Sequence, residues 1–127
     1  MDLLIDTHVF LWWDEGARHL PAYIHDAIAN PENRIFVSAA TVWEIAIKRR
    51  IGKLVFDRPI AESVEINGFM SLPMTAADAE AAGALDWKHA DPFDRMILAQ
   101  CIAGNLTLVT ADKQMRTRSE IAQIWAG

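Results

Sequence analysis

Four acidic residues stand behind short apolar runs or in the opening turns of helices: Asp6, Glu44, Asp94 and Asp112. A carboxylate in such a place needs hydrogen-bond donors or a cation, because burying an unpaired charge is costly. Gathered in one pocket, like charges repel and raise each other's pKa, so the cluster calls for a cation. Oxygen-only ligands suit a hard ion, Mg2+ or Mn2+, rather than zinc. One or two such ions support cleavage of a phosphodiester. Each acid alone also has a plain structural role. Asp6 and Asp112 suit helix N-caps, Glu44 suits an ion pair with Lys48 one turn on, and Asp91 with Asp94 resembles a capping arrangement. Four unrelated caps converging on one edge are a less economical account than one acidic pocket.

The element that must deliver Asp94 is the stretch His89 to Cys101. Asp91 is a good N-cap and Pro92 a good first helical residue. A nearly unbroken apolar helix follows from Phe93 to Ala103, stopped by Gly104-Asn105. A helix apolar on most of its circumference lies inside a protein. His89 is read as a hydrogen-bonding partner rather than a phosphate ligand. Arg95 pairs with Asp91 or touches substrate, and the sequence leaves both open.

The other acids follow strands. Leu3-Leu4-Ile5 suits a strand buried on both faces, and Asp6 lies at its C-terminal end, where open α/β sheets place ligands. A helix is expected from about Val9, with Phe10, Leu11, Trp12 and Trp13 as core, and another over Pro21–Asn30. His19 and His25 are expected on the surface. Ile35 to Ser38 is a second buried strand, and Ser38 caps a helix from Ala39 to Arg50 that carries Glu44 and stops at Gly52. Asp57-Arg58-Pro59 opens a helix to Asn67, and Ser71 to Met74 is a weak strand whose proline suggests an edge. Thr75 caps an alanine-rich helix to about Leu85, with Asp78, Glu80 and Asp86 as ordinary surface acids. Trp87 is expected over the start of the central helix. Leu106 to Val109 is a fourth strand, Asp112 caps a short helix through Met115, and Ile124-Trp125 adds a last strand. This alternation predicts βαβ units and a mainly parallel sheet of four to five strands.

The chain has 127 residues, enough for one domain. Hydrophobic residues make up 52%, which argues for a folded core. The single cysteine, Cys101, cannot form an internal disulfide, so a reducing, cytoplasmic setting is expected. No apolar run reaches the roughly 18 residues of a membrane span, and the N-terminus lacks the pattern of a signal peptide. A net charge of −5 argues against a surface built for non-specific nucleic-acid binding. Lys48, Arg49 and Arg50 form a local basic run, either a solvated helix end or a grip on a phosphate backbone.

Taken together, Leu4-Ile5-Asp6-Thr7-His8, Ser38 through Trp43-Glu44-Ile45 to Lys48, Asp91-Pro92-Phe93-Asp94-Arg95, and Leu108-Val109-Thr110-Ala111-Asp112 resemble a PIN domain. More narrowly, they resemble the VapC-type toxins of toxin–antitoxin pairs. The resemblance covers nearly the whole chain in order, so residues 1–127 are expected to form a single PIN-like nuclease domain. It implies a three-layer α/β/α sandwich and a Mg2+- or Mn2+-dependent endoribonuclease. It implies that Asp6, Glu44, Asp94 and Asp112 are the catalytic, metal-binding acids. Asp6 and Asp94 are assigned to direct metal contact, and Glu44 and Asp112 to a second ion or to orienting water. Thr7 and Thr110 match hydroxyl positions that steady carboxylates, and Asp91 is a cap or supporting group. The resemblance further implies an RNA substrate, a small antitoxin that places a basic side chain in the acidic pocket, and a homodimer.

Two other classes compete. A receiver-type phosphoryl-transfer domain also gathers acids at strand ends, but it wants paired acids after the first strand and a lysine after a late one. Thr7-His8 follows Asp6, and no lysine closes a late strand. A non-catalytic binding module that retains the acids would leave RNA intact under every metal.

Overall fold

The computed structural model describes residues 1–127 as five strands and seven helices. The strands are β1 (Asp2–Ile5), β2 (Arg34–Ser38), β3 (Met70–Leu72), β4 (Thr107–Thr110) and β5 (Gln123–Trp125). The helices are α1 (Thr7–Asp14), α2 (Ala22–Ala29), α3 (Ala39–Arg50), α4 (Ile60–Ile66), α5 (Ala76–Ala84), α6 (Pro92–Gly104) and α7 (Lys113–Arg116). None is long and apolar enough to cross a membrane.

All strands pair in parallel, in the order β3-β2-β1-β4-β5. Strands shielded by helices on both faces read as continuous apolar runs, as β1 does. Its residues divide between two cores. Leu3 and Ile5 join Phe10, Ile24, Ile45 and Val64 on one face. Leu4 joins Ile97, Leu98, Cys101, Leu108 and Met115 on the other. The period of two in a strand thus sets a helical layer on each side of the sheet. α6 fills the second core, which explains its apolar sequence.

The chain moves outward from β1 to β2 and β3, then returns across the sheet to place β4 on the other side of β1. The connections leaving the C-terminal ends of β1 and β4 therefore diverge. That divergence opens the crevice in which parallel α/β sheets hold ligands.

The differences from the expected elements are local. α1 starts at Thr7, directly after the Asp6 cap, because the Asp6 carboxylate accepts the Val9 N–H at 3.0 Å. Of the four residues Phe10 to Trp13 expected in the core only Phe10 is fully buried, beside Val9; Leu11, Trp12 and Trp13 pack at the margin of the core. β3 is one of the two edge strands, as expected, but ends before Pro73, which has no N–H for the ladder. Asp57 does not cap α4; Pro59 holds that position, and Asp57 pairs with Arg58. α6 ends with Asn105 in the left-handed region at φ 50°, so Asn rather than Gly makes the turn. Asp78 is not an ordinary surface acid. It completes a capping box with Thr75 and accepts from Gln100 of α6 at 3.2 Å.

Candidate functional site

Asp6 follows β1 and Asp112 lies just past β4, on adjacent strands at the crevice. Asp6 is only 5% exposed. Its Oδ1 accepts the Val9 N–H, and its Oδ2 accepts the Thr110 hydroxyl from the end of β4. Burial pushes its pKa up; the Thr110 and Val9 hydrogen bonds oppose this, and the charge of Asp112 adds to it. Asp112 caps α7 by accepting the Gln114 N–H at 2.7 Å with Oδ1. Its backbone N–H donates to Thr110 Oγ1 at 3.0 Å, so one threonine ties the two acids together.

Glu44 reaches the same region from α3. Thr7, the first residue of α1, donates its hydroxyl to Glu44 Oε1 at 2.7 Å. Thr41, one turn before Glu44, shares a 3.0 Å hydrogen bond with the same threonine. Lys48 donates to Glu44 Oε2 at 2.7 Å. Glu44 is buried while Lys48 is partly exposed, so the lysine brings positive charge to the rim. Thr41 was not singled out from the sequence; its spacing of three before Glu44 on one helix face is the available signal.

Asp94 sits in the first turn of α6. Its Oδ2 lies 2.6 Å from His89 Nε2, so His89 is a hydrogen-bonding partner, as the sequence suggested. Burial pushes the Asp94 carboxyl up to about 6; the His89 hydrogen bond opposes the rise, and the charges of Asp91 and Asp112 reinforce it. Asp91 caps α6, its Oδ1 accepting from the N–H groups of Phe93 and Asp94 at 2.8 and 3.1 Å. Ligand atoms of His89, Asp91 and Asp94 all fall within 4.8 Å of one another.

Capping and clustering are therefore not rival accounts. A cap engages one carboxylate oxygen and leaves the other for a second partner, which for Asp6 is the Thr110 hydroxyl. Asp112 Oδ2, Asp91 Oδ2 and Asp94 Oδ1 accept no hydrogen bond from the protein. The charge of Asp112 raises the pKa of both Asp6 and Asp94, which sets Asp112 near each of them. Oxygen donors with few balancing cations fit a hard divalent ion.

The basic run divides. Lys48 is paired with Glu44. The guanidinium of Arg49 donates to the carbonyls of Phe56 and Arg58 at 3.3 and 3.0 Å, fastening the loop after α3. Arg50 is exposed at the helix end and forms no side-chain hydrogen bond or ion pair within the chain. Arg95 neither pairs with Asp91 nor faces solvent freely; all its hydrogen bonds go to backbone carbonyls.

The family model described as PIN domain matches residues 3–120. Ribonuclease VapC22 of Mycobacterium tuberculosis is 30% identical over 122 residues, covering 91% of this chain and 90% of the relative. A solved chain of VapBC2 from Rickettsia felis, bound to a DNA fragment from their promoter, superposes with a TM-score of 0.73 at 15% identity, over all of both chains. DNA-bound VapBC from Salmonella typhimurium superposes with a TM-score of 0.69 at 16% identity, over 98% of this chain and 97% of the other. At such identities the superpositions establish a shared fold.

Proposed function

The chain belongs to the PIN-domain family, in its VapC branch, and from that premise we propose that it is a divalent-metal-dependent endoribonuclease, the toxin of a toxin–antitoxin pair. The observation that supports this most is that Thr110 ties Asp6 to Asp112 at the crevice between β1 and β4, while the charge of Asp112 bears on both Asp6 and Asp94 and Thr7, next to Asp6, holds Glu44.

Asp6 and Asp94 would hold a Mg2+ or Mn2+ ion directly, with Asp112 and Glu44 completing the site or orienting water. When bound, the ion supplies Lewis acidity for hydrolysis of a phosphodiester. The chain's own residues do the rest. Thr110 and the Val9 N–H fix the Asp6 carboxylate, and His89 fixes that of Asp94. Lys48 and the free Arg50 offer cations to the RNA backbone, the usual positioning contact for a nucleic acid. The relatives named for VapBC complexes support an antitoxin partner, and a basic side chain is the complement to this acidic crevice. A homodimer is part of the same reading.

The test is titration of Mn2+ into purified protein by calorimetry, with cleavage of labelled RNA measured in parallel. Asp94→Asn should abolish both, whereas Asp91→Asn, which keeps an amide oxygen to cap α6, should retain both. Loss only with Asp91→Asn would move the site by one helical turn. Absence of binding and cleavage in the wild type, with or without RNA, would leave the acids as caps and refute the reading.

A further inference from the structure

We propose that Arg95 is a positioning residue for the acidic site and acts through His89. Arg95 follows Asp94 on α6, yet it forms no ion pair with any carboxylate. Its Nε donates to Ala82 O at 3.0 Å, Nη1 to Trp87 O and His89 O at 2.6 and 3.0 Å, and Nη2 to Gly83 O and Leu85 O at 3.2 and 2.8 Å. A guanidinium has five N–H donors in one fixed plane, and here each has its own carbonyl. The carbonyls of Ala82 and Gly83 belong to the last turn of α5, where helices leave acceptors unpaired and favour a cation. Those of Leu85, Trp87 and His89 belong to the segment joining α5 to α6, which has neither helix nor strand. Arg95 therefore ties the end of one helix and the course of this connection to the first turn of the other.

The connection carries the group that touches Asp94. The ring of His89 packs on Trp87 with centroids 4.8 Å apart, and the Arg118 guanidinium lies over the Trp87 ring, 5.2 Å from its centroid. Held from its backbone and its ring, the imidazole meets Asp94 Oδ2 and leaves Oδ1 open. Groups that orient a metal-binding carboxylate in this way commonly change metal affinity by tenfold or more when removed. Lysine in place of Arg95 keeps the charge but reaches only a fraction of the carbonyls.

Two measurements decide the matter. The first is the side-chain 15N resonance of His89 in metal-free protein at fixed pH, identified by its absence in His89→Gln. Asp94→Asn and Arg95→Lys should both move it toward the value of the exposed His25. The second is calorimetric Mn2+ affinity, which rests on the nuclease reading. Arg95→Lys and His89→Ala should each weaken it about tenfold. His89→Gln, whose amide can still donate to Asp94, should restore it to near wild type. If Arg95→Lys lowers stability but leaves the resonance and the affinity unchanged, the clamp is merely structural and the proposal fails. Failure of glutamine to rescue would make His89 a ligand instead, which also overturns it. If the wild type binds no Mn2+, the metal reading falls by itself, and the resonance still decides whether Arg95 acts on the His89–Asp94 contact.

Discussion

Thr7 and Glu44 are joined by a 2.7 Å hydrogen bond between the first turn of α1 and the middle of α3, across 37 positions of sequence. Thr7 also meets Thr41, so a single hydroxyl fastens two helices beside the acids. Thr7→Val keeps the shape and removes both bonds. The expected loss is about 1–3 kcal/mol of stability in urea unfolding, because the buried Glu44 then keeps only its Lys48 partner. RNA cleavage should fall as well, while Thr7→Ser should preserve much of both.

The elevated Asp94 pKa predicts an unusual pH dependence for metal-free protein. Its carboxyl titrates at about 6 in the folded chain against 3.8 for the ordinary group. Between those values the folded state binds more protons than the unfolded state, so stability should rise as pH falls from 7 toward 4. Asp6 is shifted in the same direction and adds to the effect. With allowance for solvent at the partly open site, the Asp94 share is on the order of 1–2 kcal/mol. Urea midpoints in chelator across this range should show the rise, and Asp94→Asn should reduce it to the share of Asp6. Mn2+ affinity should move the opposite way, falling below pH 6 as protons compete for Asp94.

Gln100 offers a contrast, since it is buried but contacts none of the four candidate site acids. Its side chain accepts from Ser38 at 2.6 Å and donates to Pro73 O and Asp78 at 3.0 and 3.2 Å. Gln100→Leu should cost about 1–3 kcal/mol by stranding the Ser38 hydroxyl and the Pro73 carbonyl. Mn2+ affinity per folded molecule should stay at the wild-type value. A change in affinity would show that the position of α6 is set by this network.

Asn105 turns the end of α6 with φ at 50°. Asn105→Ala should lower stability by about 1 kcal/mol, because a Cβ without a local polar partner is strained there. Asn105→Gly should be neutral or slightly stabilising. Thermal unfolding of the two variants separates them.

Much was legible in the sequence because it depends on neighbours along the chain. The apolar runs at Leu3–Ile5 and Leu108–Val109 mark strands covered on both faces, and the parallel sheet and both helical layers follow from their alternation with helices. The caps at Asp6, Ser38, Thr75, Asp91 and Asp112 are local hydrogen bonds, and all five occur. Sequence periodicity also identified the acids worth watching. It could not decide what each carboxylate touches, because those contacts span long separations. The Thr110 hydroxyl reaches Asp6 across 104 positions only because β4 lies beside β1. Likewise, Arg49 and Arg50 are adjacent and alike in sequence, yet only Arg49 finds carbonyls waiting in the loop after α3. Arg95 was undecided for the same reason: its five acceptors form a cluster only after α5 packs against α6. Local propensity chose the elements, and the packing of the sheet and helices chose the partners.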